Sequence, residues 1–139
     1  MPIVSVAAPG IESRYDIHIG HGLLAASAPL FAAYSGKKAV VVADTNTAPL
    51  YAETLLTSLR SAGADASLFV LPAGEPTKCP EQLLRLYDAF LDAHLTRSDV
   101  VLALGGGVGL AGIFYLFRLR RLERLDPESM RKRIRSAGA

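Results

Sequence analysis

Residues 38–44, Lys38-Ala39-Val40-Val41-Val42-Ala43-Asp44, decide how this chain of 139 residues folds. The apolar side chains from Ala39 to Ala43 follow one another without the polar alternation of a half-exposed strand. Both faces of the segment must therefore be covered, as in a strand inside a parallel sheet. The run closes on Asp44. Two further stretches look alike, Ala66–Leu71 (ASLFVL) and Asp99–Leu104 (DVVLAL). Between the three lie segments with helical spacing: Pro49–Ala62, with Leu50, Leu55, Leu56 and Leu59 on one side, and Pro80–Ala93, with Leu83, Leu84, Tyr87, Phe90 and Leu91. Strand, helix, strand, helix, strand predicts an α/β fold, a parallel sheet with flanking helices. Pro80 suits the first position of its helix, with Cys79 at the cap and Gln82 at the third helical position. Upstream, an extended pair is expected at Ile3–Val6 and Tyr15–Ile19, then a helix over about Leu23–Tyr34.

Composition bounds the rest. Half the residues are apolar and a fifth are charged, which is the balance of a globular chain and excludes a disordered or fibrous one. The length suits one domain with a tail. The single cysteine, Cys79, cannot form an internal disulfide, and Met1–Gly10 has no basic stretch followed by an apolar core, so no secretion signal is read and a cytoplasmic location is expected. Charge is uneven. Residues 1–112 hold seven Lys/Arg and ten Asp/Glu, a net −3, whereas residues 113–139 hold eight Lys/Arg and three Asp/Glu, a net +5. The chain therefore divides into an α/β domain, 1–112, and a basic helical tail, 113–139.

After Leu104 comes Gly105-Gly106-Gly107-Val108-Gly109, at the point where a strand ends and a helix would begin. Without side chains in the way, a phosphate can approach the backbone amides and the positive end of the helix. Ligands of open α/β sheets sit at the carboxyl ends of strands, so Asp44 and Pro72–Lys78 should line the same rim. Taken singly, each feature has a plainer reading. A glycine run is equally a tight turn. Asp44 with Thr47 can cap a helix that starts near Ala48. Glu75 with Lys78 can be a solvated loop pair worth under ~1 kcal/mol.

Taken together, Asp44-Thr45-Asn46, Pro72-Ala73-Gly74-Glu75-Pro76-Thr77-Lys78 and Gly105-Gly106-Gly107-Val108 resemble, in order and spacing, the NAD-binding motifs of 3-dehydroquinate synthase. Tyr15-Asp16-Ile17-His18-Ile19-Gly20, with Gly22, looks like that family's opening strand and turn, and the likeness extends over residues 12–112. The resemblance implies a Rossmann-like NAD-binding domain. It implies that Asp44 and Asn46 contact the adenosine side of NAD, that Gly74, Glu75 and Lys78 lie on the ribose side, and that Gly106, Gly107 and Val108 meet the pyrophosphate. The chemistry is coherent, because a carboxylate accepts from ribose hydroxyls, Lys supplies a point charge and glycines expose amides.

The family continues its glycine run as Gly-Gly-Gly-Val-(Val or Ile)-Gly-Asp-Leu-Ala-Gly, whereas this chain reads Gly105-Gly106-Gly107-Val108-Gly109-Leu110-Ala111-Gly112. Two residues are missing, one of them an Asp that contacts the cofactor in the family. Their loss at a helix start turns later side chains by about 200°. NAD binding is therefore expected to be weak or impaired. The family's catalytic half, which holds a divalent metal (zinc or cobalt) through a Glu and two His, would follow Gly112 and has no match here. His18, His21 and His94 lack ligand spacing, so no metal ligand and no catalytic residue is assigned. The chain reads as a truncated member, inactive alone, of a shikimate-pathway enzyme in which NAD transiently oxidises a ring hydroxyl of a heptulosonate phosphate so that phosphate can leave and the ring can close. A homodimer is implied by the same likeness. Two alternatives stay open: a non-enzymatic α/β remnant or interaction module, and a relative such as another sugar-phosphate cyclase or a polyol dehydrogenase.

Val100–Phe117 is 18 residues without a charge, long enough for a membrane span, but its five glycines at 105, 106, 107, 109 and 112 argue for a phosphate loop. Arg118–Arg135 alternates basic residues with Leu119, Leu122, Leu125, Met130 and Ile134, and Asp126-Pro127-Glu128 looks like a cap and first turn. Such a tail can bind RNA, anionic lipid or a partner groove. The preferred reading is an apolar stripe folded back on the sheet.

Overall fold

The computed structural model describes residues 3–7 and 14–105. Its main sheet has three parallel strands, β3 (Lys38–Asp44), β4 (Asp65–Leu71) and β5 (Val100–Leu104), in the order β4-β3-β5. Ala39 pairs with Ala66 on one side and Val100 on the other, and Ala43 with Val70 and Leu104. Helix α1 (Glu53–Ser61) connects β3 to β4, and α2 (Pro80–Asp92) connects β4 to β5. A separate antiparallel ribbon joins β1 (Ile3–Ala7) to β2 (Arg14–His18).

The unbroken apolar run of β3 has a direct cause. Successive side chains of a strand point to opposite faces. Ala39 and Val41 pack with Leu55, Leu56 and Leu59 of α1, while Val40 and Val42 pack with Leu83, Leu86, Tyr87 and Phe90 of α2. With a helix on each face, no residue from Ala39 to Ala43 is more than 2% exposed. Among the described residues the other two strands are edges, and they differ from expectation. Only β3 is buried throughout; Leu68 of β4 and Ala103 of β5 are exposed.

The helices obey the 3.6-residue period more strictly than the expected stripes did. In the first, Ala52, Leu55, Leu56 and Leu59 are buried at the spacing i, i+3, i+4, i+7, and Leu50 is 68% exposed. A wide π-type turn, Ala48–Ala52, leads into α1, with Tyr51 N–H donating to Thr47 O at 3.0 Å. In the second, Leu83, Leu86, Tyr87 and Phe90 form the buried stripe and Leu91 lies outside it. Leu86, absent from the expected stripe, is fully buried. The expected helix over Leu23–Tyr34 is a turn followed by a 3-10 helix, Ala28–Tyr34. The Ser27 hydroxyl there donates to Leu24 O at 2.7 Å, a local side-chain bond that competes with regular helix. In the ribbon, Val4 faces Ile17 and Val6 faces Tyr15 on one side, and Ser5 faces Asp16 on the other, with a Ser5 Oγ to Asp16 Oδ1 bond of 2.6 Å.

At the amino-terminal end of the main sheet Asp99 fastens two elements. Its Oδ1 accepts from Lys38 N–H at 2.8 Å, and its Oδ2 from Thr96 N–H at 2.6 Å and Thr96 Oγ1 at 2.9 Å. Lys38 Nζ donates to His94 O at 3.2 Å. The glycine run beyond Gly105, most of the Val100–Phe117 stretch, the boundary at 112 and the tail lie outside the described residues. Among the described residues no helix is long and apolar enough to cross a membrane.

Both helices end on a residue with left-handed backbone. After α1 it is Gly63 (φ +89°), with Gly63 N–H donating to Arg60 O and Ala64 N–H to Leu59 O. After α2 it is His94 (φ +51°), with His94 N–H donating to Leu91 O and Leu95 N–H to Phe90 O. Glycine adopts this conformation without steric cost, whereas the Cβ of His makes it unfavourable. His94→Gly is therefore expected to raise stability by about 1 kcal/mol. Gly63→Ala should lower it, because the left-handed backbone disfavours a side chain and a Cβ there would sit 2.6 Å from Ser35 Oγ. Urea unfolding of the two variants checks both signs.

Candidate functional site

The connection from β3 runs through α1 to β4, and the connection from β4 passes back across β3 to reach β5. β4 and β5 thus lie on opposite sides of β3, the strand order at which ligands of open α/β sheets bind by the carboxyl ends, here those of β3 and β5. Asp44 ends β3 at this point, half-buried. Its Oδ1 accepts from Thr47 N–H at 2.7 Å and Asn46 N–H at 2.9 Å, and lies 3.1 Å from Thr47 Oγ1. This is an Asx turn, in which a carboxylate takes the place of a backbone carbonyl. The Thr47 amide is the main cause that holds the Asp44 carboxyl below the usual carboxylate range; partial burial opposes it, and the Asn46 amide adds to it. Among the described residues only Oδ1 is engaged in this way, so Oδ2 keeps its lone pairs for a further donor. The two readings of Asp44 are thus compatible, one oxygen shaping the turn and the other open to a ligand.

Asn46 is exposed beside it. Thr47 stands at the N-cap of the wide turn, although no side-chain capping bond to that turn forms. Thr45 reaches the other way: its N–H donates to Leu71 O at 3.0 Å, and its Oγ1 accepts from Ala73 N–H at 3.0 Å. The loop after β4 is thereby drawn to the end of β3, so Asp44 and the Pro72–Lys78 stretch lie on one rim.

Gly74 in that loop has φ +98°, and a Cβ there would meet nothing closer than Pro76 Cδ at 3.5 Å. Backbone conformation, not space, calls for glycine. A short 3-10 turn, Glu75–Thr77, follows, and Thr77 N–H donates to Gly74 O at 3.2 Å. The Thr77 side chain is buried and donates to Pro72 O, closing the loop on itself. Of Glu75 the structure places the backbone, at the first position of this turn. Lys78 is half-buried immediately before α2. Cys79 is the N-cap of α2 in extended backbone and makes no side-chain capping bond. The Glu81 carboxyl is held below its usual range first by its own backbone N–H and then by the Cys79 thiol.

Of the residues singled out by sequence, the structure thus gathers Asp44 and Asn46 with the Gly74–Lys78 loop on one rim, next to Gly105, where the glycine run starts. Gly106, Gly107 and Val108 fall outside the described residues. Sequence reasoning missed the work of Thr45 and Thr77, and gave Thr47 only a cap. The available signal was a run of hydroxyl residues directly after strand ends. Among the described residues no three His, Cys, Asp or Glu side chains gather to hold a metal. A groove of about 560 Å³ lies elsewhere, along the outer side of β4 and α2, lined by Ser67, Phe69, Arg85 and Asp88. It is set against the side of the sheet, away from the strand ends.

The chain is 49% identical to the 3-dehydroquinate synthase of Rhizobium rhizogenes over 104 residues, which is 74% of this chain and 28% of that protein. It is 48% identical to the 3-dehydroquinate synthase of Rhizobium leguminosarum bv. trifolii over 107 residues, 76% of this chain and 28% of that protein. Against the 3-dehydroquinate synthase of Rhizobium meliloti the identity is 47% over 98 residues, 70% of this chain and 26% of that protein. The chain therefore matches little more than a quarter of the length of these relatives. No family model matches it.

Asp44 and Asp99 both have lowered carboxyl pKa values, the second chiefly through the Lys38 amide and then the Thr96 amide. Their folded forms bind fewer protons than the unfolded chain, so their stabilisation is complete above the ordinary carboxylate value of about 4 and is lost as pH falls through the lowered folded values. Acid titration followed by circular dichroism should show this loss. Asp99→Asn and Asp44→Asn should each flatten the acid limb and lower stability at neutral pH.

Proposed function

We propose that the stretch shared with 3-dehydroquinate synthases is the NAD-binding part of such an enzyme, and that its rim holds the adenosine half of the dinucleotide. The observation that carries this reading is Asp44. It sits at the carboxyl end of β3, beside that of β5, with Oδ1 fixed by two amides and Oδ2 left for a ribose hydroxyl. The residues present fit the group. A carboxylate in a preset turn accepts from a ribose without paying to order itself. The exposed Asn46 amide offers both a donor and an acceptor, the Gly74 turn brings backbone close to the ligand, and Lys78 adds positive charge on the ribose side. Gly106, Gly107 and Val108 supply bare amides for that diphosphate.

NAD bound there would supply reversible oxidation of a ring carbinol of a heptulosonate phosphate, the hydride leaving the carbon that bears the hydroxyl and returning after phosphate has left. In that cycle this chain's residues bind and orient; none of them is assigned to proton transfer, and the proposal gives metal chemistry no ligand here. The shortened glycine run lacks the Asp that the family places near the nicotinamide. Binding is therefore directed by the adenosine side and weak, and turnover needs groups that the matched segment does not supply.

Calorimetric titration of the chain with NAD tests the reading. Weak binding is expected, and Asp44→Asn should weaken it at least about tenfold, the scale of a hydrogen bond to a charged acceptor, because the Asn keeps the turn and loses the free carboxylate oxygen. Equal affinity for wild type and variant would remove Asp44 from the site. The chain alone should release no phosphate from the heptulosonate phosphate; measurable release would show that the catalytic groups are present after all.

A further inference from the structure

Thr47 stands between two strand ends. Its Oγ1 is 3.1 Å from Leu104 O, the last carbonyl of β5, 3.1 Å from Asp44 Oδ1, and it accepts from Asp44 N–H at 3.2 Å. The hydroxyl has one proton and two acceptors in reach. Asp44 Oδ1 already has two amide donors, whereas β5 ends at Leu104, where the ladder to β3 stops. The proton is better placed on Leu104 O. Residues 47 and 104 are 57 positions apart, and this bond joins the two strand ends at the candidate site. Gly105, where the glycine run begins, is the next residue along.

We propose that the Thr47 hydroxyl is a positioning group that clips the end of β5 to the Asp44 turn, fixing the spacing of the two strand ends and the position of Gly105 before a dinucleotide arrives. Thr47 itself touches no ligand in this arrangement. It acts through two neighbours: it receives the Asp44 backbone N–H, so the carboxylate is presented in one orientation, and it donates to Leu104 O, so the chain enters Gly105 from a fixed point. The inference rests on the cofactor reading for its consequence in binding, and on geometry alone for the clip. The geometry also makes a separation of roles. Thr45 ties the loop after β4 to β3 through Ala73, and Thr47 ties β5 to β3 through Leu104, so each wall of the rim has its own hydroxyl.

The test uses Thr47→Val, which keeps shape and removes the hydroxyl, and Thr47→Ser, which keeps the hydroxyl. NAD affinity of the full chain is measured by calorimetry, and backbone amide exchange is followed by NMR. In Thr47→Val, NAD affinity should fall about three- to tenfold, the worth of one net hydrogen bond. Exchange at the Asp44 amide should quicken while the amides of α1 and α2 keep their protection, and Thr47→Ser should restore both. A general loss of protection in Thr47→Val marks unfolding, and Thr47→Ser then decides: wild-type values for both readouts support the clip, and a loss of both overturns it. Unchanged Asp44 exchange in a folded Thr47→Val protein overturns the clip. Quickened exchange with unchanged NAD affinity overturns its role in binding. If wild type binds no NAD, the cofactor reading fails separately, and the exchange data still decide the clip.

Discussion

The backbone of β3 has a strand on each side and a helix over each face, so between Ala39 and Ala43 the only polar groups that fit are those of the peptide itself. The flanking strands β4 and β5 and the helices α1 and α2 are placed by meeting that demand. Each leucine that α1 or α2 turns toward β3 contributes about 1.5–3 kcal/mol by leaving water, and the two helices contribute from opposite sides. Because the strand is short of polar alternatives, it must hand its chain over to solvent abruptly at Asp44. The first residue able to accept hydrogen bonds from a reversing backbone sits at the point where the sheet opens.

That position explains why one residue serves folding and candidate chemistry together. An Asx turn uses only one carboxylate oxygen, and both amides here go to Oδ1. The hydroxyls of Thr45, Thr47 and Thr77 complete the rim by bonding to backbone groups of neighbouring loops or of their own. Small side chains suit this work, since they reach adjacent backbone without losing much rotamer freedom.

The sequence made the parallel sheet legible because double burial erases alternation, and the VVV run could hardly belong anywhere else. Helix positions were legible and their stripes less so. Leu50 and Leu91 look as apolar as their neighbours, yet the 3.6-residue period assigns their places to Ala52 and Leu86. Residues 23–34 read as helix because apolar spacing alone does not register that Ser27 bonds back to Leu24. In the candidate site, Asp44 and the Gly74 turn could be picked out from motif order. The bonds from Thr45 to Ala73 and from Thr47 to Leu104 join residues 28 and 57 positions apart, and no local pattern announces such pairs.

Asp99 holds the start of β3 through a bond that spans 61 residues of sequence. During synthesis, β3, α1, β4 and α2 have all emerged before β5 exists. Until then one edge of β3 has its peptide groups open, flanked by three consecutive valines. An unfinished strand edge of that composition is a template for any other extended chain nearby, including another copy at the same stage. The carboxylate that clamps Lys38 and the strand that closes β3 arrive within a few residues of each other, so the exposed edge is covered and locked at its base in one late step.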